Sequence, residues 1–328
     1  MVWIVGYGSF SYSMGIGLAI VQIILWVWTG LMIRRLLERL TNIQFSFSVA
    51  ALYLCSFPMF FVIVTDRQIL STFTLVAFVY YRYANRDLKS SGDFVPVDYL
   101  WSLAAIGTTL TSVLASGFEL LKSNRSFGLF LRDSFQYGVI CLLTFLLLAP
   151  QHALNLAGVR ECFQWTHLNS ETPKETYRVR QYLHFVESNV FFPASQISKE
   201  EISAKSPTEV PVSYLLTGCI LFALAVTGGV LYRKEPVVQM MSVWVLLSLI
   251  LLLGLGYGAR FNEMQLLIPY FSWAFVPLIM LPFHYFLKNY GNLVAIGILL
   301  CALFTLAQNL YYVAELTRVT TGFYVIPQ

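Results

Sequence analysis

The sequence predicts an all-α polytopic integral membrane protein with about nine or ten transmembrane helices, a crossing of the hydrocarbon needing about 20 apolar residues. Three observations carry this. Of 328 residues, 57% are hydrophobic and only 12% are charged, about half the charge of a soluble domain. Mean hydropathy is +0.67. Apolar runs recur near 12–33, 43–65, 69–82, 99–121, 134–150, 213–232, 237–258, 265–287 and 291–313. In lipid such runs are helices, because each must satisfy its own backbone hydrogen bonds.

The first fourteen residues hold no Lys or Arg, so no basic region of a cleavable signal peptide is evident and the first run serves as its own targeting signal. Aromatic residues make up 16% of the chain, as expected where Trp and Tyr anchor helices at membrane interfaces. Four of the five cysteines, Cys55, Cys141, Cys219 and Cys301, lie in apolar runs and read as small buried thiols. Cys162 lies in a polar segment, and no Cys/His spacing suggests a metal site.

The chain divides into a front helix group, 1–150, a polar insert, 151–212, and a back group, 213–328. Within the insert, TPKETYRVRQYLHFVE offers Thr172 as N-cap, Pro173 at the first helical position and Glu175 three residues after the cap. Val179, Leu183 and Val186 follow at helical spacing, so an amphipathic helix is expected near 173–188. The next stretch, SQISKEEISAKSPTEVPVS, reads as a mobile loop.

Basic residues set the orientation. Arg34, Arg35 and Arg39 follow the first run; Arg82, Arg86 and Lys89 the third; Lys122, Arg125 and Arg132 the fourth; Arg233 and Lys234 the sixth. Strict alternation cannot keep both 82–98 and 122–134 inside if 99–121 crosses once. One resolution makes 99–121 a hairpin of two short helices turning near GTTLTS; the other lets one basic loop break the rule. With the hairpin, the N-terminus, the 66–68 turn, the insert and Arg260 all face outside or the lumen.

The stretch LYLCSFPMFFVIVTDRQILSTFTLVAFVYYRYANRD, with Pro58, Gln68, Arg82 and Arg86, resembles GT-C-type membrane glycosyltransferases of the mannosyltransferase-like kind. GARFNEMQLLIPYFSWAFVPLIMLPF, with Arg260, Phe261, Pro269, Tyr270 and Pro277, resembles a late segment of that family. The resemblance implies a GT-C-like helical bundle with one outward insert and an isoprenoid-phosphate-linked sugar donor. The family also carries an acid in a first outer loop. The opening MVWIVGYGSFSYSMGIGLAI holds neither acid nor base, so a degenerate or partial transferase fits the pattern as well as a full one.

Two clusters are the candidate sites. Asp66, Arg67 and Gln68 sit at a tight turn. Asp66 would act as catalytic acid/base or as ligand to a divalent metal, Arg67 would grip a phosphate bidentately, and Gln68 would hydrogen-bond a sugar hydroxyl. The plainer reading is a solvated turn with Asp66 near a helix start. Arg260 and Glu263 share a helical face at three-residue spacing; Arg260 would hold the lipid phosphate and Glu263 would orient it. Their plainer reading is an interfacial salt bridge.

His184 and Glu187, with His152 and His167 nearby, lack a third fixed ligand and read as solvated polar positions. His284, inside an apolar run, reads either as a buried polar contact or, being close to Lys288, as a side chain that reaches the interface. Asn124-Arg125-Ser126 is a glycosylation sequon, silent if cytoplasmic. Gly228-Gly229 and Gly254-Leu255-Gly256 read as close helix packing. Membrane lipids are expected partners, and nucleic acid is not. Beside the transferase stand two other classes: a non-catalytic membrane subunit that binds a lipid or a partner protein, and a transporter or flippase for a lipid-linked solute.

Overall fold

The computed structural model describes residues 9–59, 68–83, 96–108, 112–123, 126–148, 190–191, 195–197, 202–204, 212–250 and 268–323. Ten α-helices stand among them: α1 (Ser9–Glu38), α2 (Ile43–Cys55), α3 (Gln68–Tyr83), α4 (Pro96–Thr108), α5 (Val113–Ser123), α6 (Phe127–Leu148), α7 (Val212–Leu231), α8 (Pro236–Leu249), α9 (Ile268–Phe286) and α10 (Gly291–Phe323). The expected amphipathic helix at 173–188 lies outside the described residues. The stretch read as a mobile loop contains instead a small antiparallel hairpin, β1 (Ser195–Ile197) and β2 (Ile202–Ala204), with Gln196 opposite Ser203.

Two helices, Gly17–Glu38 and Lys288–Glu315, are long and apolar enough to cross a membrane. Outer helices keep large apolar side chains exposed: Ile24 and Trp28 on α1, Phe135 and Leu147 on α6, Leu300 and Phe304 on α10. The interior, by contrast, holds Ser46, Ser48, Thr72, Arg82, Asp98 and Glu119. Two of the thiols expected to be buried, Cys219 and Cys301, are exposed, because they lie on the outward faces of α7 and α10.

The core centres on α9, which is buried along most of its length and apolar nearly all round, as a central helix must be. It packs on α2, α3, α7 and α8. Pro282 has no N–H, which releases the Leu278 carbonyl from the helical ladder. That oxygen lies against Gly228 of α7, where an added Cβ would come within 2.1 Å. A Cβ at Gly229 would meet Ser242 Oγ of α8 at 2.7 Å. The expected close packing at Gly228-Gly229 is therefore present; Gly254 and Gly256 lie outside the described residues.

The run 43–65 is not one helix. α2 starts at the N-cap Asn42, whose Oδ1 accepts from Phe45 N at 2.7 Å. It ends at Cys55, before a single 3-10 turn, Phe57–Met59, that contains Pro58. The carbonyls released there find new donors: Trp26 Nε1 donates to Leu54 O at 3.2 Å, and Asn309 Nδ2 to Cys55 O at 2.8 Å. Side chains of α1 and α10 thus close a broken helix whose backbone would otherwise be unsatisfied. Asn309 Nδ2 also donates to Phe191 O at 3.1 Å, which ties the 190–191 pair to this end of the bundle.

The opposite end gathers most of the described basic residues; Arg318, near the far end of α10, stands apart. Arg39 donates to Tyr83 O at 2.8 Å, joining the end of α1 to the end of α3. Tyr232 at the end of α7 shares a 2.8 Å hydrogen bond with His284 Nδ1 near the end of α9, and the His284 ring packs on Phe45 at the start of α2. Gly291 at the start of α10 faces the Asn42 side chain. Arg34, Arg35, Arg39, Arg82, Lys122, Arg233, Lys234 and Lys288 therefore share one end of the bundle.

Candidate functional site

The segment 99–121 forms two helices, α4 of 13 residues and α5 of 11. At 1.5 Å per residue they are about 20 Å and 17 Å long, too short for a hydrocarbon layer of ~30 Å. Their side-chain pairings show that they return antiparallel. Ser102 and Ser116 share a hydrogen bond at 2.5 Å across fourteen residues; in one continuous helix they would stand roughly 21 Å apart. Asp98 and Glu119, farther apart still in sequence, meet on a single guanidinium. Of the two resolutions open in the sequence, the structure adopts the hairpin.

That guanidinium belongs to Arg82, the penultimate residue of α3. Its Nη1 donates to Asp98 Oδ2 at 3.0 Å, and its Nε to Glu119 Oε2 at 3.1 Å. Asp98 is 0% exposed, Glu119 2% and Arg82 7%. Arg is suited to this position because its planar fork can serve two carboxylates at once. Tyr83 donates its hydroxyl to Glu119 Oε1. The Lys122 ammonium lies over the rings of Tyr83 and Phe118, 5.3 and 6.0 Å from their centroids.

Above this base runs a seam of hydroxyls. Ser102 hydrogen-bonds Ser116 and Tyr137, joining α4, α5 and α6. Thr108 at the end of α4 shares a 3.0 Å hydrogen bond with Thr74 of α3. The buried faces of the hairpin follow helical spacing with small and polar residues: Asp98, Ser102 and Ala105 on α4, and Ala115, Ser116 and Glu119 on α5. A buried ionic cluster of this kind is expensive unless partnered. Each acid here has a cationic partner, and Glu119 accepts from a phenol as well.

Of the residues predicted from sequence, Asp66, Arg67, Arg260 and Glu263 lie outside the described residues, as do His152, His167, His184, Glu187, Asn124 and Arg125. Gln68 is the first residue of α3, half-buried, and its carbonyl accepts from Thr72 Oγ1 at 2.9 Å. The basic cluster stands at the other end of that helix. His284 is half-buried near the end of α9, with Tyr232 as its hydrogen-bond partner. Arg82, read as part of a basic edge, is instead buried between two acids.

Sequence reasoning passed over Asp98, Glu119 and the hydroxyls. A signal was present: Glu119 interrupts an apolar run, and an ionisable group in such a run marks an internal site by default. Among the described residues no group of three or more His, Cys, Asp or Glu is placed to hold a metal. Comparison with protein-family models, curated proteins and solved structures finds no match to this chain.

Proposed function

We propose that the chain is a multi-pass membrane protein, with its basic end in the cytoplasm, that acts at its opposite end as a GT-C-like glycosyltransferase on an isoprenoid-phosphate-linked sugar. The orientation follows from the gathering of Arg and Lys at one end, since cytoplasmic edges carry the excess of basic residues. The exposed apolar side chains of α1, α6, α7 and α10 suit a hydrocarbon surround.

One observation carries the functional reading. The segments holding Asp66-Arg67-Gln68 and Arg260–Glu263 lead into α3 and α9, and both helices begin at the end away from the basic residues. The 190–191 pair, from the polar insert, is tied to that same end. On this reading the acid, base and amide groups of the two stretches act from that side. Arg260 would hold the lipid phosphate, with Glu263 orienting it. Arg67 and Gln68 would bind phosphate and sugar oxygens. Asp66 would serve as acid/base, with or without a divalent metal.

Native mass spectrometry of the protein purified gently from its own membranes, beside Arg260→Ala, tests this reading. Co-purification of an isoprenoid phosphate or its sugar adduct, lost in the variant, is expected. A clean apo mass in the wild type would count against it. Asp66→Asn is expected to abolish sugar transfer; full activity would remove Asp66 from the mechanism.

The second reading is a non-catalytic membrane subunit. It is favoured by the way the buried charges of the hairpin are consumed by internal pairs. A bound partner protein without lipid in the same spectra would support it.

A further inference from the structure

The basic end uses its cations in two ways. On the α1–α3–α5 side they are engaged within the chain. Arg34 and Arg35 pair with Glu38 at 2.8 and 3.0 Å. Arg39 donates to the Tyr83 carbonyl, Arg82 is held by Asp98 and Glu119, and Lys122 lies over two rings. On the other side, Arg233, Lys234 and Lys288 are exposed, and among the described residues none of them enters an ion pair or donates a side-chain hydrogen bond. Glu235, the acid beside them, is half-buried and pairs with none of the three.

These three cations share one corner of the bundle. Arg233 and Lys234 lie in the turn between α7 and α8, and Lys288 just past the end of α9. The Tyr232–His284 hydrogen bond ties the two connections together, and the Tyr232 ring meets that of Tyr285 edge-on at 6.1 Å. Leu287 N still bonds the Phe283 carbonyl at 3.0 Å. The last helical turn therefore carries on and sets Lys288, four residues after His284, on the same side as that pair.

An apolar surface adjoins the cations. α9 is buried as far as Pro282 and comes to the surface only at this end, where Phe283, Tyr285 and Phe286 are exposed. Tyr290 and Leu293 continue that surface onto α10. Unpaired cations above exposed rings and aliphatic side chains match an amphiphile with an anionic head and hydrocarbon tails.

We propose that the corner between the α7–α8 turn and the end of α9 binds an anionic phospholipid, its phosphate held by Arg233, Lys234 and Lys288 and its acyl chains laid against Phe286 and Leu293. Arg233 offers phosphate oxygens a planar two-donor fork. The two lysines reach the headgroup as point charges on apolar stems. Basic groups between transmembrane helices on the cytoplasmic side suit such headgroups. The bound lipid joins the α7–α8 turn to the α9–α10 connection from outside, as Tyr232 and His284 do from within. This site needs the membrane setting proposed above, but neither the transferase chemistry nor Arg260, which that reading assigns to the other end.

Native mass spectrometry of the delipidated full chain in detergent, titrated in turn with phosphatidylglycerol, phosphatidylcholine and inorganic phosphate, tests this. The first phosphatidylglycerol is expected to bind several-fold more tightly than phosphatidylcholine and to resist displacement by inorganic phosphate. Lys234→Gln with Lys288→Gln should weaken it about twenty-fold, a cation near a lipid surface being worth a factor of roughly five. Arg34→Gln with Arg35→Gln removes as much charge from the same end, but Glu38 already answers those cations and exposed charges farther off are screened, so the change should stay under about two-fold. Phosphatidylcholine binding should be the same in all three proteins, and so should the effect of Arg260→Ala on phosphatidylglycerol be nil. Wild-type binding of phosphatidylglycerol no tighter than of phosphatidylcholine would overturn the proposal. Equal losses in the two double variants would do so too, by reducing the effect to edge charge alone. Displacement by inorganic phosphate would make this a site for the free anion and overturn the lipid assignment.

Discussion

α9 sits inside the bundle and the α4–α5 hairpin turns one face into it, yet the two are held by opposite physics. α9 buries Phe271, Trp273, Phe275 and Ile279 among other apolar side chains, and its stability is spread over many weak contacts. The hairpin buries Asp98, Ser102, Ser116 and Glu119, and its stability is concentrated in a few polar bonds. The first region degrades gradually when altered. The second fails when one partner is removed, because what remains is a buried charge with no counter-ion.

The largest expected effect lies at the point of concentration. Arg82→Ala leaves two carboxylates in the interior and should cost about 3–5 kcal/mol, as breaking a buried pair from one side does. Thermal unfolding in detergent would show this as loss of the folded population. Replacing Arg82, Asp98 and Glu119 together by Met, Leu and Leu should restore most of that stability, since an apolar trio of similar volume needs no partners. A triple variant no better than Arg82→Ala would break the comparison. In the apolar region, Gly228→Ala forces a Cβ onto the Leu278 carbonyl. It should cost about 1–3 kcal/mol through overpacking and should separate α7 from α9.

Smaller effects sharpen the contrast. Tyr137→Phe removes one hydroxyl from the seam and should cost about 0.6 kcal/mol, the average for an interhelical hydrogen bond in a membrane protein. Gly297→Ala on α10 meets nothing within 4 Å. It should stay within about 0.5 kcal/mol of wild type, as surface changes do. The same unfolding assay ranks all of these. Tyr137→Phe matching Arg82→Ala would mean that the ionic base is not where the hairpin's stability resides.

The apolar half of this picture was legible in the sequence. Hydropathy located α1, α3, α7, α9 and α10 to within a few residues at most of their ends, and Gly228-Gly229 announced a close approach. Hydropathy read 43–65 as one run despite Pro58, and it cannot show that Trp26 and Asn309 close the break from 28 and 254 residues away. The hairpin was half legible. Basic residues on both sides of 99–121 demanded an even number of passes, but charge counting could not choose the hairpin over an exception. What decides it is the pairing of Ser102 with Ser116 and of Asp98 and Glu119 with Arg82, a long-range fact. Arg82 itself misled, because a basic residue at a helix end looks the same whether it faces water or two buried acids.

The most direct measurement is sided labelling of a variant stripped of Cys55, Cys141, Cys162, Cys219 and Cys301, in which single cysteines replace Ser91, Ser126 or Glu200. An impermeant maleimide should reach Ser91→Cys and Ser126→Cys from the same face of the membrane, and Glu200→Cys from the other. Labelling of the Ser91 and Ser126 positions from opposite faces would make 96–123 a single crossing and contradict the hairpin on which the account rests.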